Sequence, residues 1–517
     1  GTRGAGWTVS AASRAGIALG VLLVALCAYL SNDALLPMLD ATPSAYLPAS
    51  ILEDGDLAVG PLQAPNLFVW DLDTPSGRSR VEISRWMDLP AGSSADFAEL
   101  FRSGRLHFSG PHYYLVPTLR QRPATGEPLF ASIFGPAAGV VAIPVAAAAR
   151  VLGVNLRDEL ALWTLAKLSA SLLVAGSAAL VFLTAARFLC LGRALLLTAA
   201  YALGTCVWSI SSQALFQQTP ALFFLALGAF LIICTEQPWL RGAGAGFAFA
   251  AAAACRPTCV LVVIAAAAFL LKDNRRALAA FVAGASLVGF ALIAYNLFYF
   301  DTPLSFGQLD VSPRFAKFKT GSPALWQTPL WLGAAGLLLS PSRGLLIYSP
   351  FLAAAFAGAV LVWKDERYRR LRFITAASLA LWLPAFVWFD WWGGWTYGYR
   401  PIVDSTPFLA LLCIPVLDAV LDRRAWRLAF SLALAWSLIV QLAGAFLYTP
   451  WGWNARLLDA DGTRADIDQP LYRHRLWSFS DWQIVYFLAN AEAARADRKV
   501  AMGRSSTAAS FYLMQRH

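Results

Sequence analysis

Eleven apolar stretches, separated by turns rich in arginine, constrain this chain more than any other feature. A helix needs about 20 apolar residues to cross a bilayer, and positive charge stays on the cytoplasmic side. Taking the arginine-rich turns as inside, spans are expected at Ala15–Ser31, Leu160–Ala185, Arg193–Ile210, Pro220–Cys234, Gly242–Ala254 and Thr258–Leu271. Five more follow at Ala277–Leu297, Gly344–Trp363, Phe373–Trp388, Pro407–Leu421 and Leu428–Leu447. The fold class this implies is an all-α polytopic membrane protein of about 11 transmembrane helices, with the N-terminus inside. The first apolar stretch lies behind Arg3 and Arg14 like a signal peptide, but reads as an uncleaved span in a polytopic chain.

Composition agrees. The chain is 58% hydrophobic and 14% charged, against about 25% charged in soluble proteins. Twenty tryptophans and 33 phenylalanines suit aromatic belts at the membrane interfaces. The formal charge of +10 reflects anchoring turns, so nucleic acid is not an expected partner. All seven cysteines lie in or at the edge of apolar segments, so no disulfide framework is implied. Cys255 and Cys259 are too lone a pair for zinc.

The polar mass is lopsided. One expected outer face carries a first loop, 32–159, a second loop, 298–342, and a tail, 448–517; the inner turns are short. A transmembrane domain over 1–447 and a short outer C-terminal segment over 448–517 follow. Phe130–Leu152, broken by Gly135-Pro136 and Pro144, belongs to the first loop as a juxtamembrane or re-entrant helix. No inverted repeat of the transporter kind is visible.

Asp40 lies just beyond the first span, on a segment where Pro37, Pro43 and Pro48 each forbid a continuous helix. Two readings stand: a catalytic carboxylate held at the membrane surface, or the N-cap of a short helix opened by Thr42-Pro43. Glu53-Asp54-Gly55-Asp56 reads either as a turn or, through Asp54 and Asp56, as oxygen ligands for a divalent cation. Arg256, Arg343 and Arg400 sit at the outer ends of spans, and Arg314 lies in the second loop beside Lys317 and Lys319. Either they snorkel to headgroups, or they converge on a lipid phosphate, which guanidinium forks match. Gln213, Gln217 and Gln218 occupy another outer turn and suit hydroxyl recognition or plain solvation. Trp388–Trp395 reads as an interfacial belt that also offers rings for stacking on a sugar.

Several motifs occur in a telling order: Asp40-Ala41-Thr42-Pro43, Tyr113-Tyr114, Cys255-Arg256-Pro257-Thr258, Tyr295-Asn296, Ser340-Pro341-Ser342-Arg343-Gly344, and Trp392-Gly393-Gly394-Trp395 with Gly398 and Arg400. In that order the chain resembles bacterial members of the GT-C glycosyltransferase superfamily, similar to the protein O-mannosyltransferase and lipid A aminoarabinose transferase group. The resemblance implies a GT-C-type bundle and inverting transfer of a single sugar from a polyprenyl-phosphate donor to a lipid, glycan or protein hydroxyl. It implies an inner-membrane location with a periplasmic active face. Asp40 becomes the catalytic base; Arg256, Arg343, Arg400, Arg314 and Tyr397 the donor and phosphate set; and Tyr46, Tyr113, Tyr114, Gln213, Gln217, Trp392 and Trp395 the substrate set. No cofactor is required, since arginines can play a metal's part. The aminoarabinose transferases carry a lysine before a proline where this chain has Glu127-Pro128; the superfamily's oligosaccharyltransferases carry Trp-Trp-Asp where Trp391-Trp392 is followed by Gly393, so transfer of a whole oligosaccharide is not expected. The alternative class is a transporter or flippase for polyprenyl-linked sugars. Asp301–Gly321, with little apolar periodicity, is expected to be mobile until a donor binds.

Overall fold

A computed structural model describes residues 11–32, 35–36, 38, 40–61, 63–75, 77–81, 103–111, 114–123, 126–419, 422–458 and 463–502. The described chain is mostly helical. Among the described residues six helices are long and apolar enough to cross a membrane: Ala12–Leu30, Glu159–Ala185, Arg275–Phe300, Glu366–Val387, Arg400–Ala419 and Arg424–Leu447. The remaining expected spans fall on shorter or broken helices. Leu191–Gly204 and Gln218–Cys234 are examples, and the apolar run from Gly344 is split into Leu345–Tyr348, Pro350–Leu352 and Ala353–Leu361.

Local chemistry sets the ends. Asp158 accepts from the backbone N–H groups of Leu160 and Ala161, and Asn274 from that of Ala277, so each satisfies donors the first helical turn leaves open. Small residues let backbones approach: a Cβ on Gly246 would stand 2.0 Å from the Phe281 carbonyl oxygen, and one on Gly284 the same distance from that of Ala243. Helices Pro238–Cys255 and Arg275–Phe300 therefore pack through their glycines, as helices do where apolar solvent supplies no driving force.

One end of the bundle is closed by ion pairs. Glu236 binds Arg187 and Arg370, Asp273 binds Arg241 and Arg369, and Asp418 binds Arg367. These are the turns that the charge pattern grouped together. The other end carries the long loops.

The first loop departs from an all-helical reading. Phe68–Thr74 is the central strand of a three-stranded antiparallel sheet, flanked by Gly77–Val81 and Leu106–Pro111. Leu115–Gln121 pairs with Pro128–Ser132. Trp70, Phe68, Leu106 and Phe130 form a core of their own, which also contains Tyr46. Short helices Ala137–Val140 and Ile143–Val151 occupy the Gly135–Val151 stretch.

Two further expectations change. Thr42–Ala49 is helical despite its prolines: Pro43 sits in the first turn, where no N–H is needed, and the chain relaxes past Pro48 into a wide π turn over Ser50–Asp54. The second loop holds the helix Gly307–Thr320 rather than an irregular segment. Its apolar surface is completed by neighbours, which a count over the segment alone misses.

Candidate functional site

Asp40 does not cap a helix. The first turn of Thr42–Ala49 has no side-chain cap, and Asp40 Oδ2 instead accepts from Arg400 Nη1 at 2.5 Å. Asp40 Oδ1 is buried, and among the described residues no group donates to it. Arg400 heads the helix Arg400–Ala419, lies over the Phe216 ring, and donates its Nη2 to the Gly393 carbonyl at 2.9 Å.

Both residues line a cavity of 790 Å³. Its polar lining includes Asp40, Tyr114, Gln217, Arg256, Lys319 and Arg400; its apolar lining includes Leu261 from the helix Val260–Asp273 and Val288, Leu292 and Ile293 from Arg275–Phe300. Tyr114 stacks between Phe134 and Phe315. Burial, reinforced by the Asp40 carboxylate, raises its phenol well above the usual value, so it remains a hydrogen-bond donor at neutral pH.

The cavity's cations are all paired. Arg256 binds Asp404 at 2.5 Å and donates to the Pro401 carbonyl. Lys319 lies between Asp390, at 2.5 Å, and Asp468, at 3.0 Å. Burial works against a charged Lys319, but the two carboxylates outweigh it and hold the ammonium above the usual lysine value. On the helix Gly307–Thr320, Gln308, Ser312, Phe315 and Lys319 recur at three- and four-residue spacing and line the cavity. Arg314 and Lys317 are on the exposed side.

The Trp391–Gly394 turn is gripped by two arginines. Gly393 and Gly394 both take positive φ, which turns successive carbonyls toward them. Arg343 is fully buried, and all five of its N–H donors are spent: on the carbonyls of Trp392, Ser342 and Gly394, and on the side chains of Gln483 and Asn454. Burial pushes its guanidinium down to about 10, still charged at neutral pH. The phosphate role expected of Arg343 is therefore corrected: it ties the C-terminal segment to the helices and keeps no donor for a ligand.

The other expected residues divide. Gln217 and Gln218 line the cavity. Gln213 is buried elsewhere, accepting from Asn32 and donating to Ser212 and to the Trp208 carbonyl. Tyr397 is buried, with its hydroxyl on the Val440 carbonyl, and Tyr46 belongs to the first-loop core; neither lines the cavity. Trp392 and Trp395 donate to Asp468 and Asp466, so their indoles fasten the tail. Arg314 is exposed on the far face of its helix. Tyr113 lies outside the described residues.

Asp54 and Asp56 pair with Arg122, which also holds Glu127 at 3.0 Å. Arginine thus occupies the place a cation would take, and Glu127 is not among the cavity's lining residues.

Sequence reasoning missed Asp390, Asp404, Asp468 and the cavity role of Thr258. Asp404 did leave a signal, as a carboxylate inside an apolar run, where an ionisable group demands a partner. Asp468 left none, since its partner Lys319 is far away in the sequence.

No family model and no curated protein matches the chain. Among solved structures it is similar to ArnT from Cupriavidus metallidurans. For the crystal structure bound to undecaprenyl phosphate the identity is 12%, with 98% of this chain and 76% of that chain covered and a TM-score of 0.45. The apo state gives 12%, the same coverage and a TM-score of 0.46.

Proposed function

We propose that the protein is a polytopic membrane glycosyltransferase of the GT-C type, moving a single sugar from a polyprenyl-phosphate donor to an acceptor hydroxyl with inversion. The observation that carries this is the asymmetry of Asp40: one oxygen held by Arg400, the other with no partner among the described residues, on a cavity with both a polar and a long apolar lining. A general base needs an open acceptor within reach of the proton it takes, and its partner must hold it in place.

In this mechanism an acceptor hydroxyl donates its proton to Asp40 Oδ1 while its oxygen attacks the anomeric carbon. The bond from that carbon to the phosphate oxygen breaks on the opposite face, and the lipid phosphate leaves with the electron pair. Arg256, Arg400 and Lys319 all line this cavity and offset the charge that develops on the leaving group. The apolar lining takes the start of the isoprenoid chain. The N-terminus is read as cytoplasmic, the loop-bearing end as periplasmic, and the acceptor as a lipid, glycan or protein there.

The test is turnover with a polyprenyl-phosphate sugar. Asp40→Asn should bind donor as the wild type does and release polyprenyl phosphate about 10³-fold more slowly. An unchanged release rate removes Asp40 from the mechanism.

A further inference from the structure

The C-terminal segment carries an apolar face with no cover. From Trp477 to Asn490 it holds a single charge, Asp481, which accepts from Arg475 and from the Trp453 indole. The short helix Gln483–Ala489 buries Gln483, Ile484 and Phe487 and turns Val485 and Leu488 outward. Phe479, Val485 and Leu488 are 64%, 49% and 45% exposed. The charged helix Ala491–Met502 follows at once. An apolar run this short cannot cross a bilayer, but it has the length of one that dips into it.

The span Arg424–Leu447 sets the depth. The Trp482 ring packs on that of Trp436, with centroids 5.7 Å apart. Trp436 and Leu447 are 11 residues apart on the helix, about 16 Å along its axis. That distance exceeds the reach of one indole plus the gap between the rings, so the Trp482 ring lies below the loop-bearing end of the span. Phe479 packs on Trp482 in turn, centroids 5.6 Å apart. On the span itself, Ile439 and Leu442 are exposed between Trp436 and Leu447, so the tail's apolar face continues a surface already turned to lipid.

Irregular backbone at such a depth needs partners within the protein. It has them. The Ser340 hydroxyl donates to the Leu476 carbonyl at 2.6 Å, and the Trp453 indole to that of Asp481 at 3.0 Å. The Trp482 indole donates to the Pro341 carbonyl at 2.6 Å.

We propose that residues 477–489 form an interfacial membrane anchor, whose Phe479, Val485 and Leu488 contact the acyl chains of phospholipids in the leaflet at the loop-bearing end. The bilayer then holds the segment that supplies Asp468 to Lys319, and Asn454 and Gln483 to Arg343.

The experiment uses the full-length protein in phosphatidylethanolamine–phosphatidylglycerol vesicles containing a phospholipid with a diazirine midway along one acyl chain. Phe290, 70% exposed on Arg275–Phe300, is the internal reference for lipid contact. After irradiation, adducts are mapped on peptide 476–495, which trypsin releases between Arg475 and Arg495. Phe479, Val485 and Leu488 should carry them at no less than about a tenth of the yield at Phe290, and Glu492 should carry none. A nitroxide on Leu488→Cys, with the exposed Cys27 and Cys190 replaced by alanine, should lie about 5–10 Å inside the phosphate level. The wild-type adducts decide the matter if that variant fails to fold. A peptide 476–495 free of adducts beside a labelled Phe290 overturns the anchor. Dipolar broadening between copies also overturns it, by giving the face to a second copy. Neither readout involves sugar transfer, so the proposed function stands or falls separately.

Discussion

Asp40 and Arg400, 360 residues apart, form one ion pair that joins the first loop to the head of a late apolar helix. Their side chains are 18% and 12% exposed, so the pair is mostly out of water. Breaking such a pair from one side leaves an uncompensated charge, at a cost of about 3 kcal/mol.

Arg400→Gln alone should therefore lower the melting temperature in detergent clearly. Adding Asp40→Asn should recover a large part of that loss, because no charge is then stranded. Strictly additive losses in the double variant would show that the two residues are not coupled.

Arg343 should behave as a strut. Arg343→Lys retains the charge but reduces five donors to three, and leaving acceptors such as Asn454 or Gln483 unmet costs about 2 kcal/mol. The expected signs are faster proteolysis of the C-terminal segment and a lower melting temperature, with donor affinity unchanged. A selective fall in donor affinity would return Arg343 to the donor site.

Lys319 anchors the C-terminal end of helix Gly307–Thr320 to Asp390 and Asp468. Lys319→Met should free that end, and trypsin should cut after Arg314 and Lys317 about tenfold faster. In the wild type a saturating donor analogue should slow the same cuts. Cleavage that ignores both the substitution and the analogue would mean that the helix is held elsewhere.

Glu236, at the closed end, is held down to about 2 by hydrogen bonds from Arg370 and then Arg187. Its folded value lies below the usual 4.5, so its contribution is fully present above pH 4.5 and is lost as pH falls toward 2. The pair is exposed and its contribution small. The melting-temperature difference between wild type and Glu236→Gln should be constant from pH 7 to about 5 and shrink below that. A difference that grows on acidification would reverse the assignment.

Legibility in the sequence followed the reach of each signal. Asp40, Arg256 and Arg400 could be singled out because charged groups beside apolar runs are conspicuous one at a time, and the structure brings these three to one cavity. Arg343 was conspicuous for the same reason and yet differs in role, since its partners Asn454 and Gln483 lie over 100 residues on. The alternation Phe68, Trp70, Leu72 has the period of a strand and is plain in the sequence, but proline and glycine around it suggest only loop. Tyr397 and Gln213 carry the right chemistry and point it at backbone and neighbouring side chains, a distinction that only packing makes.

The grip of Arg343 also sets an order of manufacture. When the ribosome has completed Leu447, every described helix long and apolar enough to cross a membrane has been made, yet the buried guanidinium still waits for Asn454 and Gln483. Until those residues emerge, a charge sits in the assembled core with part of its hydrogen bonding unmet. A chain stopped at residue 450 would thus have every described helix long and apolar enough to cross a membrane and still be an unfinished protein, one that membrane quality-control proteases should clear rather than a smaller working enzyme.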